Sequence, residues 1–259
     1  MPEVSAGWSL SRGLLREARQ TARAGRASRV VLRKTTLVDY PGRVASAIFF
    51  LSCSLRCPWC QNRELVLGAA GASVPLEDAL LHLERRRPVL GGVVLSGGEP
   101  TGFAELPSLV ETIRAMGLPV KLDTNGMNPP ALEKLFSRAE TRPDYIALDL
   151  KLPPGRYAGL LPRGGGFDPG AALERSALLV RESGIAHEYR TLALPGACLE
   201  AEDLSALAPL ADNSPWYFRT FVPGNCLDPA WNSFPAPGNG KAALLAGKAR
   251  TLGKQGIAL

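Results

Sequence analysis

Cys53, Cys57 and Cys60 place three thiols within the stretch Cys53-Ser54-Leu55-Arg56-Cys57-Pro58-Trp59-Cys60. Soft thiolates at this density favour zinc or an iron–sulfur cluster over a disulfide. Their number decides more than their spacing. A closed structural zinc site takes four ligands, and no fourth Cys or His follows at finger-like spacing. The nearest histidine is His82 and the next cysteine is Cys198. A cube-shaped cluster held by three cysteines would leave one iron open to a ligand that is not protein. Three further stretches could do chemistry, and each is ambiguous alone. Gly97-Gly98-Glu99 reads equally as a turn. Asp123-Thr124-Asn125-Gly126 has the composition of a turn as well. Asp149-Leu150-Lys151 ends an apolar run on a lysine that solvent could hold. Cys198 and Cys226 read as small buried residues, and His187 as a core or lining side chain. No Ser/His/Asp set supports hydrolase chemistry.

The elements that must position these groups follow from periodicity. Val44–Leu51 is a near-continuous apolar run and reads as a buried strand that delivers the three sulfurs to the loop after it. Before it, Val30–Val38 is extended and ends in the turn Asp39-Tyr40-Pro41-Gly42. Strands are predicted at 91–95, 119–123, 144–150, 187–194 and 216–222. Between them lie helical patterns: Leu76, Ala79, Leu80 and Leu83, then Leu106, Leu109, Val110 and Ile113. Asn128 precedes Pro129 and Pro130 as a helix cap. Further helices are expected around 173–178, 203–210 and 241–252, with a Pro/Gly-rich loop over 153–170. About six strand–loop–helix units predict an α/β fold, a partial (β/α)6 barrel of parallel strands with outer helices and an open mouth. In such folds chemistry sits on loops at the C-terminal strand ends. The cysteines, Gly97-Gly98-Glu99, Asp123-Thr124-Asn125-Gly126, Asp149 with Lys151, and Pro223-Gly224-Asn225 all occupy that position.

Composition bounds the rest. With 46% hydrophobic and 21% charged residues, the 259-residue chain is of ordinary globular type. No apolar run reaches the roughly 18–20 residues of a membrane span, and no secretory signal is expected. The net charge is +6, of which residues 1–29 carry +4. The basicity therefore belongs to an N-terminal extension, read as a flexible solvated arm ahead of a domain over 30–259, and not to a nucleic-acid face. Five cysteines in such a chain point to a reducing compartment, the cytoplasm.

The Cys-x3-Cys-x2-Cys loop after the first barrel strand resembles the radical S-adenosylmethionine superfamily. The resemblance implies a 4Fe–4S cluster on Cys53, Cys57 and Cys60 whose open iron binds S-adenosylmethionine. Gly97, Gly98 and Glu99 then look like the element that accepts from the methionine ammonium. Asp123, Thr124 and Asp149 look like the residues that hold a monovalent cation beside the methionine carboxylate, with Lys151 on the cofactor. Trp59 would stack on the adenine or shield the cluster. Val38–Gly42, Cys57–Asn62, Val120–Gly126 and Pro223–Asp228 together resemble the activating proteins of anaerobic ribonucleoside-triphosphate reductase, within the glycyl-radical-enzyme activases. Trp59 stands where Tyr or Phe is more usual, and Gln61 where His is common. The implied partners are a glycyl radical enzyme, the anaerobic reductase, and a flavodoxin or ferredoxin donor, with neither nucleic acid nor membrane. Two alternatives stay open: a small-molecule enzyme similar to 7-carboxy-7-deazaguanine synthase, and a non-catalytic metal-binding module.

Overall fold

The computed structural model describes residues 28–69, 71–162 and 167–259. The extension expected over 1–29 lies outside the described residues up to residue 27, and Arg29 already opens the first strand. One sheet organises the chain. Its strands are β1 (Arg29–Thr36), β2 (Ala45–Phe50), β3 (Val74–Pro75), β4 (Gly92–Gly97), β5 (Val120–Thr124), β6 (Tyr145–Asp149), β7 (Ala186–Ala193), β8 (Pro215–Thr220) and β9 (Gln255–Ala258). Their order is β3-β1-β2-β4-β5-β6-β7-β8-β9. From β2 to β9 along that order all pairings are parallel, whereas β1 runs antiparallel to both β2 and β3. The row has two ends, so the barrel is open. The six expected units are β2, β4, β5, β6, β7 and β8, and short strands extend the sheet at both edges. β9 carries Gln255 and Gly256 in four residues and has too little apolar alternation to stand out.

The helices are α1 (Arg63–Val66), α2 (Leu76–Arg86), α3 (Leu106–Ala115), α4 (Pro129–Phe136), α5 (Pro169–Glu182), α6 (Leu204–Leu207) and α7 (Gly238–Thr251). The apolar face read from α2 is the buried one, Ala79, Leu80 and Leu83. The same holds for α3 with Leu106, Leu109, Val110 and Ile113. Asn128 caps α4, its side-chain oxygen accepting from Ala131 N at 3.3 Å. Part of the expected loop 153–170 is ordered instead: Pro154–Leu160 forms a 3-10 helix with Tyr157 and Leu160 buried. No described helix is long and apolar enough to cross a membrane.

The two faces of the sheet differ in chemistry. Facing the helices are Ile48, Leu95, Leu122, Ile146 and Leu148, all fully buried in two apolar clusters. The alternate residues point inward. At the bottom of the inner face Tyr40, Ala45, Ala47 and Val94 form a small plug. The turn Asp39–Gly42 thus closes the base, and a Cβ at Gly92 would press on the Tyr40 ring. Above the plug the inner face turns polar.

Candidate active site

Four loops at the C-terminal strand ends converge, as the topology requires. A cavity of about 550 Å³ opens there and is lined by Cys53, Cys57, Cys60, Gly97, Gly98, Glu99, Asp123, Thr124, Asp149 and Lys151, with Trp59 beside them. Every residue singled out from the sequence as metal- or cofactor-binding lines this one space. The loop Pro223-Gly224-Asn225 does not. Asn225 instead lines an adjoining cavity of about 430 Å³, and its neighbours brace the cysteine loop. Leu227 N donates to Cys60 O at 2.8 Å, and Asp228 N to Pro58 O at 3.0 Å. Gln61 has a structural task as well, donating from its side chain to Val222 O.

The cysteine loop is pinned along its whole length. Ser52, at positive φ, donates to Leu65 O at 2.7 Å, and Arg56 N donates to Leu160 O at 2.7 Å. All five cysteines are free thiols. Burial pushes Cys53 up and Cys57 up to about 12, so both are protonated thiols until a metal displaces the proton. Cys53 Sγ is approached by Leu55 N at 3.4 Å and by the Asn125 amide at 3.5 Å, donors suited to a thiolate. Among the described residues no three His, Cys, Asp or Glu side chains are disposed around a single ion. A cube, which places each thiolate on a different iron, does not need them to be. Trp59 is nearly buried, tilted at 53° against Trp231 with ring centroids 5.3 Å apart. Its indole shields the cysteine loop from one side.

Gly97 and Gly98 line the cavity and are also needed for packing within the protein. A Cβ on Gly98 would run into the Ser52 carbonyl, and one on Gly97 into the Phe50 backbone. The absence of side chains lets this loop nest against the end of β2, where Gly98 N donates to Phe50 O at 2.9 Å and Glu99 N to Ser52 O at 3.0 Å. Glu99, which lines the same cavity, is also bonded within the protein. Its Oε1 accepts from the Thr101 and Thr124 hydroxyls at 2.6 and 2.7 Å and from Thr101 N at 3.1 Å. Its Oε2 accepts from Asn125 N at 2.7 Å. The carboxylate therefore ties the loop after β4 to the loop after β5. Burial raises its pKa, against the pull of those donors.

Deeper on the inner face lies a charge network that the sequence reading missed. Lys121 pairs with Asp123 and, at 3.8 Å, with Glu188. Arg190 bridges Asp123 at 3.1 Å and Asp149 at 2.9 Å, and Lys151 holds the other Asp149 oxygen at 2.7 Å. Ser96 donates to Asp123 at 2.9 Å, and Tyr145 to Glu188 at 3.0 Å. Burial alone would raise both aspartates, but Arg190 and the neighbouring lysines outweigh it and hold them below the usual carboxylate range. Burial opposes the charge on Lys151 and Arg190, and the same aspartates reverse that and push both up. A signal for this network was present. Lys121 with Asp123, and Glu188 with Arg190, are charged pairs two residues apart inside strands, which puts each pair on one face.

Residues 48–207 match the radical SAM superfamily, more than half of the chain. The chain belongs to that superfamily. Like other radical SAM proteins it uses a 4Fe–4S cluster and S-adenosylmethionine, and the donor set fits them. Three free cysteines on one braced loop would leave one iron of such a cluster open, and Lys151 and Arg190 would offer cations to a carboxylate bound in the same cavity. A candidate glycyl-radical enzyme activating enzyme of Methanocaldococcus jannaschii is 26% identical over 205 residues, 77% of this chain and 82% of the relative. The 7-carboxy-7-deazaguanine synthase of Hyperthermus butylicus is 36% identical over 101 residues, 38% of this chain and 42% of that enzyme. Among solved structures, a radical SAM methyltransferase from Sphaerobacter thermophilus superposes with a TM-score of 0.64 at 16% identity. The superposition covers 87% of this chain and 68% of that one, and shows the shared fold.

Proposed function

We propose that this radical SAM protein installs a glycyl radical on a partner enzyme, the anaerobic ribonucleoside-triphosphate reductase, with a flavodoxin or ferredoxin as electron donor. The observation that carries the activase reading is the similarity to a candidate activating enzyme along most of both chains. The narrower choice of reductase rests on the resemblance of Val38–Gly42, Val120–Gly126 and Pro223–Asp228 to its activating proteins. When bound and reduced, the cluster and S-adenosylmethionine supply a 5′-deoxyadenosyl radical able to take a hydrogen atom from a carbon. The protein's share is placement. The braced cysteine loop fixes the cluster, Lys151 and Arg190 hold the methionine carboxylate, and Trp59 with Trp231 keeps water from one flank. The 430 Å³ cavity adjoins the first through Arg33, Phe49, Gln61 and Asn62, which gives a polypeptide segment room beside the cofactor.

The similarity to 7-carboxy-7-deazaguanine synthase supports a second reading, a small-molecule substrate, but spans well under half of each chain. The two part in one experiment. The reduced holoprotein is mixed anaerobically with S-adenosylmethionine and the reductase, and electron paramagnetic resonance is recorded. A glycyl-radical doublet on the reductase, with 5′-deoxyadenosine formed and both lost in Cys57→Ala, is the expected result. 5′-Deoxyadenosine without a doublet would overturn the reductase as target, and its persistence in Cys57→Ala would overturn the mechanism.

A further inference from the structure

Asn125 follows directly on β5 and is only 3% exposed. Its backbone N donates to Glu99 Oε2 at 2.7 Å, and its side-chain oxygen accepts from Met127 N at 2.9 Å. The second bond fixes which way the amide faces, because only the oxygen end can meet a backbone N–H. The NH2 end is thereby turned to the cysteine loop. Its nitrogen lies 3.5 Å from Cys53 Sγ and 3.4 Å from Ser54 Oγ, two acceptors for two protons. The three sulfurs are not treated alike. Cys53 Sγ also takes Leu55 N at 3.4 Å, whereas among the described residues no hydrogen bond reaches the sulfur of Cys57 or Cys60. The Leu55 bond is internal to the loop. Asn125 reaches the same sulfur from another strand end, 72 positions along the chain.

We propose that the Asn125 side-chain amide donates to the Cys53 thiolate and through it raises the reduction potential of the iron–sulfur cluster. An added electron puts more negative charge on the ligating sulfurs, so a donor aimed at one of them stabilises the reduced state more than the oxidised one. Burial strengthens the effect, since little water competes for the sulfur. Asn125 is a positioning residue that acts on the cluster only through Cys53. Its amide cannot easily swing away, because Glu99 and Met127 hold it from two sides. The proposal takes Cys53 as a cluster ligand, as the cysteine loop implies, and holds whichever substrate the radical attacks.

The test is a redox titration of the reconstituted holoprotein without S-adenosylmethionine, read by electron paramagnetic resonance of the reduced cluster. Asn125→Leu keeps the volume and removes the donor. Its cluster is expected to be about tenfold harder to reduce, a downward shift of about 59 mV for one electron. Because this variant also loses the Met127 bond, a second readout uses wild type. Protein carrying asparagine labelled with 15N in the side chain is expected to show a nitrogen coupling to the reduced cluster in pulsed resonance. That coupling should vanish in labelled Asn125→Leu. A variant cluster reduced as readily as that of wild type overturns the proposal. So does labelled wild type without the coupling, an arm that needs no variant to fold, or a coupling that persists in Asn125→Leu. A Cys53→Ala protein that retains a full cluster overturns it as well, because that sulfur would not be a ligand.

Discussion

Lys121 is the most exacting test of the buried network. Its side chain is only 2% exposed, and its ammonium lies against Asp123, 3.8 Å from Glu188 and 6.0 Å from the centre of the Tyr145 ring. Lys121→Met keeps the volume and removes the charge. Asp123 would still have Arg190 and Ser96, whereas Glu188 would keep the Tyr145 hydroxyl and the more distant charge of Arg190. Removing one member of a buried ion pair costs about 3–5 kcal/mol, chiefly because the remaining charge is stranded. With Asp123 still paired, the lower end applies: about 3 kcal/mol, which lowers Tm by roughly 6–12 °C in a protein near this size. Urea unfolding of the apo protein followed by far-UV circular dichroism reads this directly. If the stranded charge is the cause, adding Glu188→Gln should recover at least half of the loss. A single variant within about 1 kcal/mol of wild type, or a double variant no better than the single, would refute the reasoning.

Two further outcomes follow from the same geometry. Gly98→Ala drives a methyl group into the Ser52 carbonyl, so the protein should lose about 3 kcal/mol or more and take up less iron on reconstitution, because the displaced neighbour carries Cys53. Normal stability with full iron content would show that the two loops do not need to nest. Asp123 and Asp149 are held low against the opposing effect of burial by Arg190 and the lysines. Their stabilisation is therefore complete above the unfolded carboxylate pKa of about 3.9 and fades only as pH falls through the depressed folded values. An acid titration by circular dichroism should hold its signal down to about pH 4 and fail below it; a midpoint above about pH 5 would contradict the pairing.

Much of this protein is legible in one dimension because its chemistry uses local signals. Cys53, Cys57 and Cys60 sit on one loop, so their number alone states how many irons of such a cluster the protein would hold. The strand–loop–helix alternation names the fold, and the fold rule that loops at C-terminal strand ends share a mouth correctly gathers Gly98, Glu99, Asp123, Asp149 and Lys151. What the alternation cannot state is which groups across the sheet neutralise one another. Asp123, Asp149 and Arg190 come from three strands, 67 positions from first to last in the sequence, and only strand register sets them side by side. The nearly buried Trp59 waits likewise on Trp231, and the need for Gly97 and Gly98 on the close passage of the β2 backbone. Ligand identity was thus written in the sequence. The charge balance of the site was decided by tertiary packing, because Coulomb interactions in a buried site depend on distances that no local pattern encodes.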